Sequence, residues 1–488
     1  MRMQQRTKKQ LPRELSLPDL PLARPGQAFS PRPAPSPSAI PMRILLTTWG
    51  SSGDLHPFLA LGMELLRRGH HCALAGNPAW RQEVEALGLE FIAAGVEQRP
   101  DMLMDHPELF SSKNMGLNSL RALLNHGIRP VLRPMLDALV AASPRFDLLV
   151  AHHFALTAGT AAEISGIPWV TVYLAPGVIP SAYGMPAATH LKAGTGSFWR
   201  MVQAGIWRSG RMLTAPLADP VLNEIRKERG LAPVYDALFG HYSPGLALLL
   251  FSRHYAPEQP DYPEHFRQAG FCFYDGLAAT PAASNAEQSP AFVPSPELAG
   301  FLDSAPTGVR PWLFTLGTSA VSNPGGFYKL AAEAMATLPD QRAIFLLGHE
   351  KNRPETLPPN VLALQYLPYG WIMPRCGIVA HQCGVGTLSH TLRAGVPSLA
   401  CPYAFDQPNN AARMEELGVA KRFLPGRGWT ARNMRALLLE LDQPAYRTRA
   451  AILRDSLAGE NGPALAAELL EAHAARLESA GVPARASL

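Results

Sequence analysis

The stretch "AHQCGVGTLSHTLRAGVPSLACPYAFDQPNNAAR" (Ala380–Arg413) decides the fold. It opens at the end of an apolar run, "GIVAHQ" (377–382), and passes through a small-residue turn into the helix-spaced "GTLSHTLRAG". A second apolar run, "SLACP" (398–402), and a polar segment headed by Asp406 and Gln407 follow. Strand, glycine turn, helix, strand is the repeating unit of a parallel, doubly wound sheet. Such sheets bind ligands beyond the carboxyl ends of their strands. A helix starting directly after a strand offers free backbone N–H groups and the positive end of its dipole, which suit a phosphate. Gly384 and Gly386 would let an anion approach closely, and the Thr387 hydroxyl adds a donor; an ordinary structural turn would use the same residues. Asp406 and Gln407 pair a carboxylate with a carboxamide, a set suited to sugar hydroxyls. A helix cap followed by turn residues is the alternative reading of that pair.

The same alternation extends outward in both directions. From Met42 it runs through strand "RILLTTW" (43–49), helix "LALGMELLRRG" (59–69), strand "HCALAG" (71–76), helix "AWRQEVEALG" (79–88), and strands "FDLLVAH" (146–152) and "WVTVYLA" (169–175). It breaks at an Ala/Pro/Ser-rich segment, residues 276–310, which predicts a linker. It restarts with strand "PWLFTLG" (311–317), helix "FYKLAAEAMATL" (327–338) and strand "RAIFLLG" (342–348). The expected class is α/β: two Rossmann-like, doubly wound parallel-sheet domains facing a cleft. Residues 42–275 form the first domain and 311–475 the second with its terminal helices, between a disordered leader (1–41) and a tail (476–488).

At 488 residues the chain is long enough for two cores, and 47% hydrophobic against 17% charged residues describes a globular protein. A net charge of +5, with base concentrated in the acid-free start "MRMQQRTKKQLPR", gives no basic stripe within the fold and argues against a nucleic-acid partner. Five scattered cysteines form no Cys-x-x-Cys pair and no metal-ligand spacing, and so predict reduced, buried thiols in the cytoplasm. No apolar run reaches the roughly 18 residues of a membrane span, and the leader lacks the apolar segment of a signal peptide.

Further turns and aromatics in the second half fit the same ligand. "FTLGTSAVSNPGG" places Gly317, Thr318 and Ser319 just past a strand, where a second small-residue turn could grip a diphosphate from the other side. "QYLPYGWIMPRCG" supplies Tyr366 and Trp371, either of which could stack a nucleobase or simply pack. Base, diphosphate and sugar hydroxyls together describe a nucleotide-sugar.

In order and spacing, "GSSGDLHPF", "FTLGTS", "YLP", "HQCGVGT", "RAGVP" and "FDQPNNA" resemble the nucleotide-sugar-dependent glycosyltransferases of the GT-B fold. The likeness is to the bacterial branch with sterol glucosyltransferase-like, macrolide and rhamnolipid rhamnosyltransferase proteins, and runs from Met42 to about residue 475. The resemblance implies base stacking by Tyr366 with a backbone contact at Leu367. It implies diphosphate binding by Thr318, Ser319, Gly384, Gly386 and Thr387, and sugar binding by Asp406 and Gln407. Many relatives place a phosphate-binding histidine where this chain has Gln382, with His381 one residue earlier; the group that neutralises the diphosphate is left open. No metal is expected, because the helix dipole can take part of a cation's role.

In the first half, "WGSSGDLHPFLALG" ends a strand at the cleft. Inverting transfer needs a base beside the acceptor hydroxyl. The resemblance assigns this to Asp54, with His56 as rival; Asp54 could instead cap a helix starting near Pro57. His152 falls where histidine-using relatives carry a partner aspartate, which points to an Asp54–His152 pair steadied by a protonated imidazole. "SFWRMVQAGIWRSGRML" (197–213) places Trp199, Val202, Ile206 and Leu213 at helical spacing with Arg200, Arg208 and Arg211 around them. That pattern is a core-packing helix, an acceptor wall that uses Trp199 and Ile206, or a peripheral contact with the inner membrane surface. The expected activity is inverting transfer of a glucose- or rhamnose-type hexosyl group from a UDP- or dTDP-sugar to a hydroxyl of a lipid or hydrophobic natural product. A sugar-nucleotide epimerase and a degenerate nucleotide-sugar-binding protein are the alternatives.

Overall fold

The computed structural model describes residues 41–98, 117–187, 189–276, 292–424 and 428–480. Nearly all of the predicted leader, residues 277–291 of the predicted linker and residues 481–488 of the predicted tail lie outside them.

Among the described residues, two parallel sheets carry the fold. The first has seven strands: β1 (Arg43–Thr47), β2 (His71–Gly76), β3 (Glu90–Ala93), β4 (Leu148–His152), β5 (Trp169–Tyr173), β6 (Ala247–Leu249) and β7 (Phe266–Gln268). Their spatial order is β3-β2-β1-β4-β5-β6-β7. The second has six strands: β8 (Trp312–Thr315), β9 (Ala343–Leu346), β10 (Val361–Leu364), β11 (Ile378–His381), β12 (Ser398–Ala400) and β13 (Ala420–Arg422), in the order β10-β9-β8-β11-β12-β13. In both, the strand order reverses beside the first strand of the half, and crevices for ligands open at such switch points.

Period-two alternation builds the cores. Ile44, Leu46, Leu148 and Val150 face one side of the first sheet, where they meet α1 (Ser52–Arg67). Leu45, Leu149 and Ala151 face the other, against α2 (Arg129–Ala142). Both faces are covered, so the strands read as near-continuous apolar runs. In the second half Trp312, Phe314 and Phe345 line one face and Leu313, Ile344 and Val379 the other. The five cysteines are free and buried.

Several elements differ from expectation. Helix α1 starts at Ser52, not near Pro57: Ser51 is its N-cap, and Asp54 at the third helical position completes a capping box. The helix expected from "SFWRMVQAGIWRSGRML" continues past that stretch as the 32-residue α3 (Ser197–Glu228). Within the predicted linker, α4 (Pro296–Asp303) is ordered because Leu298 is buried against Leu313 and Ile344. Two helices of the second half open just past β11 and β12, α5 (Val385–Ala394) and α6 (Gln407–Glu416). The last described helix, α7 (Gly462–Ser479), follows the second half in sequence but packs on the first: Ala466, Ala467 and Leu470 join the core formed with Leu55 and Leu59. Arg68 and His70 tie it down through Glu471, at 3.1 and 3.0 Å. No described helix is long and apolar enough to cross a membrane.

Candidate active site

A cavity of about 1040 Å³ opens between the carboxyl ends of the two sheets. The halves come close across it: a Cβ on Gly386 of the second would lie 3.8 Å from the Gly53 Cα of the first. Asp54, His56, His152 and Ile206 line one side, and Gly317, Thr318, Tyr366, Gln382, Gly384, Gly386, Thr387, Asp406 and Gln407 the other.

Asp54 stands at the mouth of α1. Its Oδ2 accepts hydrogen bonds from the Ser51 backbone N–H at 2.7 Å and hydroxyl at 3.1 Å, which leaves Oδ1 for the cleft. Oδ1 lies 3.9 Å from His152 Nε2. His152 Nδ1 is 3.3 Å from the Trp49 carbonyl, which can only accept, so Nδ1 carries the ring proton and Nε2 presents a lone pair. Burial holds His152 down at about 4 and raises Asp54 to about 6. Near neutral pH the carboxylate is therefore ionised beside a neutral imidazole. The expected protonated partner is corrected: His152 is too deeply desolvated to carry a charge.

His56 lies on the wall with its ring edge-on to Tyr274 at 5.0 Å and is lowered by burial to about 4.

On the second half, Gly317 adopts φ +61° at the start of the short turn Gly317–Ala320, which also contains Thr318 and Ser319. A Cβ there would lie 2.2 Å from Gln382 Nε2, and one on Gly384 2.9 Å from the same nitrogen. Gln382 thus inserts its amide between the two glycine-lined turns and donates to Thr387 Oγ1 at 3.3 Å, while its own Oε1 is buried without a partner. It lines the cavity at that point. His381 does not reach the cavity: it is buried, its Nδ1 accepts from the Cys383 N–H at 3.1 Å, and burial lowers it to about 3. Leu367 is likewise buried, in the core with Ile372, off the cavity wall. Tyr366 is 65% exposed at the rim, whereas Trp371 turns away to pack on Phe292.

Asp406 caps the start of α6 without a side-chain capping bond; its Oδ2 accepts from Asn410 Nδ2 at 2.7 Å. Burial, with the negative charge of Asp54 second, raises its carboxyl to about 7. Gln407 Oε1 is engaged by the Tyr403 and Ala404 N–H groups at 2.9 and 3.2 Å, so only its amide NH₂ can be offered to a ligand. Non-glycine residues with left-handed backbone precede two of the cavity-lining residues, Cys383 (φ +66°) before Gly384 and Phe405 (φ +59°) before Asp406. Such strain concentrates at binding sites.

Val202, Ile206, Trp207 and Leu213 of α3 join Trp49, Leu123 and Phe239 in a largely apolar wall on the first half. Trp199 is not part of it: it is 44% exposed and packs edge-on against Phe198 at 5.9 Å. Sequence reasoning missed three polar wall or support residues. Tyr369 bonds Thr315 Oγ1 at 2.9 Å, His390 lies 3.5 Å from Asp275, and Asn410 braces Asp406. Of these, only Asn410 carried a signal, as the polar residue one helical turn after Asp406.

Comparison with known proteins agrees with this geometry. Residues 44–179 match the glycosyltransferase family 28 N-terminal domain, and residues 332–473 the erythromycin biosynthesis protein CIII-like C-terminal domain. O-mycaminosyltylonolide 6-deoxyallosyltransferase of Streptomyces fradiae is 31% identical over 454 residues, covering 91% of this chain and 100% of that protein. The sterol 3-beta-glucosyltransferase UGT80B1 of Arabidopsis thaliana is 24% identical over 451 residues, covering 88% and 68%. The solved glycosyltransferase SsfS6 of Streptomyces sp. SF2575, complexed with thymidine diphosphate, has the same fold, with a TM-score of 0.57, 20% identity, and 88% and 99% coverage. With two parallel sheets facing one cleft and a relative matched over its whole length, the chain belongs to the GT-B glycosyltransferases, the family of O-mycaminosyltylonolide 6-deoxyallosyltransferase, and is a hexosyltransferase.

Proposed function

We propose that the enzyme moves a hexosyl group from a thymidine or uridine diphosphate sugar to a hydroxyl of a large hydrophobic acceptor, a natural product or lipid, with inversion at the anomeric carbon. The observation that carries this reading is the shared cavity: the Asp54 carboxylate opens into the space that also holds Thr387 and Asp406, beside an apolar wall. In the reaction, the acceptor oxygen attacks the anomeric carbon as its proton passes to Asp54 Oδ1. The bond to the diphosphate breaks, and its electron pair leaves with the phosphate oxygen. His152 takes no proton, and the Ser51 N–H and hydroxyl set the position of the carboxylate. The α5 amino terminus, the Thr387 hydroxyl and the Gln382 amide stabilise charge on the departing diphosphate, as preorganised dipoles do. Tyr366 covers the base, and Asp406 with Gln407 holds sugar hydroxyls.

Family membership favours a transferase over the epimerase and binding-protein alternatives. The test is turnover of dTDP-glucose, dTDP-rhamnose and UDP-glucose against a panel of polyketide and sterol alcohols, with the anomeric configuration of the product read by NMR. A retained configuration, or no glycoside with any pair, would overturn the proposal.

A further inference from the structure

Tyr255 and Asn410 are both fully buried and belong to opposite halves: Tyr255 follows β6 of the first, and Asn410 lies on α6 of the second. Asn410 Nδ2 is 2.7 Å from Asp406 Oδ2 and 2.9 Å from the Cys383 carbonyl oxygen. A carbonyl and a carboxylate both accept, so this end of the amide must be the NH₂, and both its hydrogens are used. The other end, Oδ1, therefore accepts, and its donor is the Tyr255 hydroxyl at 2.8 Å. The orientation of the amide leaves no alternative.

What the amide holds is specific. One hydrogen fixes the carboxylate assigned to the sugar, and the other fixes the carbonyl of the residue before the Gly384 turn. The backbone at both places is left-handed, at Cys383 and at Phe405 beside Asp406. A non-glycine residue keeps that conformation only when its surroundings impose it. A second contact anchors Tyr255 independently of its hydroxyl, since Arg413 Nε of α6 donates to the Tyr255 carbonyl at 2.7 Å.

We propose that Tyr255 acts through Asn410 as a positioning residue, so that the first half sets the sugar-binding carboxylate and the phosphate turn of the second. The inference rests on the reading of Asp406 and the Gly384 turn as the donor site. Recognition of the donor sugar is then complete only when the halves are packed, with no residue of the first half touching the sugar's hydroxyls through this relay.

The test compares the full-length wild type with Tyr255→Phe, Asn410→Ala and the double variant. Dissociation constants for thymidine diphosphate and dTDP-glucose are measured by calorimetry, with melting temperatures alongside and uridine counterparts as a second nucleotide pair. Tyr255→Phe keeps the ring and the Arg413 bond but leaves Asn410 Oδ1 without a donor. It should weaken dTDP-glucose about tenfold while changing the acceptor KM little, and Asn410→Ala should weaken it further. The double variant should be no worse than Asn410→Ala, because the hydroxyl acts only through the amide. The Asn410 bond favours ionised Asp406, so in Asn410→Ala the fall of dTDP-glucose affinity on acidification should begin at higher pH. A merely structural role would lower the melting temperature without this shift. Unchanged dTDP-glucose affinity in Tyr255→Phe, or losses that add in the double variant, would overturn the proposal, and Tyr255→Phe alone decides if Asn410→Ala does not fold. If the wild type binds none of the four ligands, the donor-site reading falls first and the relay with it.

Discussion

His152 presents the lone pair of Nε2 to Asp54 Oδ1 at 3.9 Å, because its other ring nitrogen is held by the Trp49 carbonyl at 3.3 Å. A neutral imidazole in that tautomer neither donates to the carboxylate nor draws off its charge, and the Ser51 donors alone hold Asp54 in place. Asp54 thus keeps the basicity that burial confers, which a cationic partner would reduce.

The rate profile follows. With Asp54 raised to about 6, kcat at saturating donor should fall tenfold per pH unit below about pH 6 and stay flat from there toward pH 8, while kcat/KM for the donor should carry a further limb near pH 7 from Asp406. His152, lowered to about 4, should add no second limb in that range. Asp54→Asn should lose about 10²- to 10⁴-fold in kcat, with thymidine diphosphate binding retained. A limb unmoved by His152→Phe but absent in Asp54→Asn would identify the carboxylate.

The same substitution should act on stability in the opposite sense. Below about pH 4 an aspartate is protonated both folded and unfolded, and the stability that its raised folded value confers is fully present there. Between about 4 and 6 the unfolded chain releases a proton that folded Asp54 keeps, so its contribution to stability falls as pH rises and is fully lost above its folded value. An asparagine can still accept the Ser51 N–H bond without this cost. Melting curves at pH 8 should show Asp54→Asn about 1–3 °C above wild type, and the gap should close near pH 4.

Gln382 occupies the gap between the two glycine turns as an uncharged donor. Gln382→Ala removes one hydrogen bond and should raise the donor KM about tenfold. Gln382→Glu keeps the shape and reverses the electrostatics, so it should weaken thymidine diphosphate by about 100-fold or more. Equal losses from the two would mean that the amide does not face phosphate.

At Gly317 space and backbone oppose any side chain together: φ is +61°, and a Cβ would meet Gln382 Nε2 at 2.2 Å. Gly317→Ala should displace that amide and abolish measurable diphosphate binding by calorimetry, with about 1–2 kcal/mol of stability lost to the left-handed backbone.

On the acceptor wall, Ile206→Trp should fill part of the cavity beside Trp207 and Leu213. The KM for bulky polycyclic alcohols should rise about tenfold or more, while small alcohols and thymidine diphosphate bind as before. Competition assays across a size series would show the cut-off moving.

Much of this was legible in the chain itself. The glycine turns, Asp54 and Asp406 sit where strand ends and helix starts put them, because a parallel sheet leaves its ligand-facing positions to the residues just past each strand. Failures trace to geometry that linear spacing does not encode. His381 ends β11 and Gln382 follows it, and alternation carried one residue past the strand sends one into the core and the other into the cleft. Trp199 has the same helical phase as Ile206 but lies seven residues away, about 10 Å along α3, beyond the end of the wall. Strands of three residues, such as β6, β7 and β13, are too short for a period to register. Asn410 owes its role to Tyr255, a partner 155 positions away.

The return of α7 to the first half has a practical corollary. The amino-terminal core stays incomplete on the ribosome until Ala466, Ala467 and Leu470 emerge, after the whole of the second sheet. Hybrids built to trade acceptor preference between relatives must therefore move residues 462–479 together with 42–275, or leave two foreign surfaces to marry.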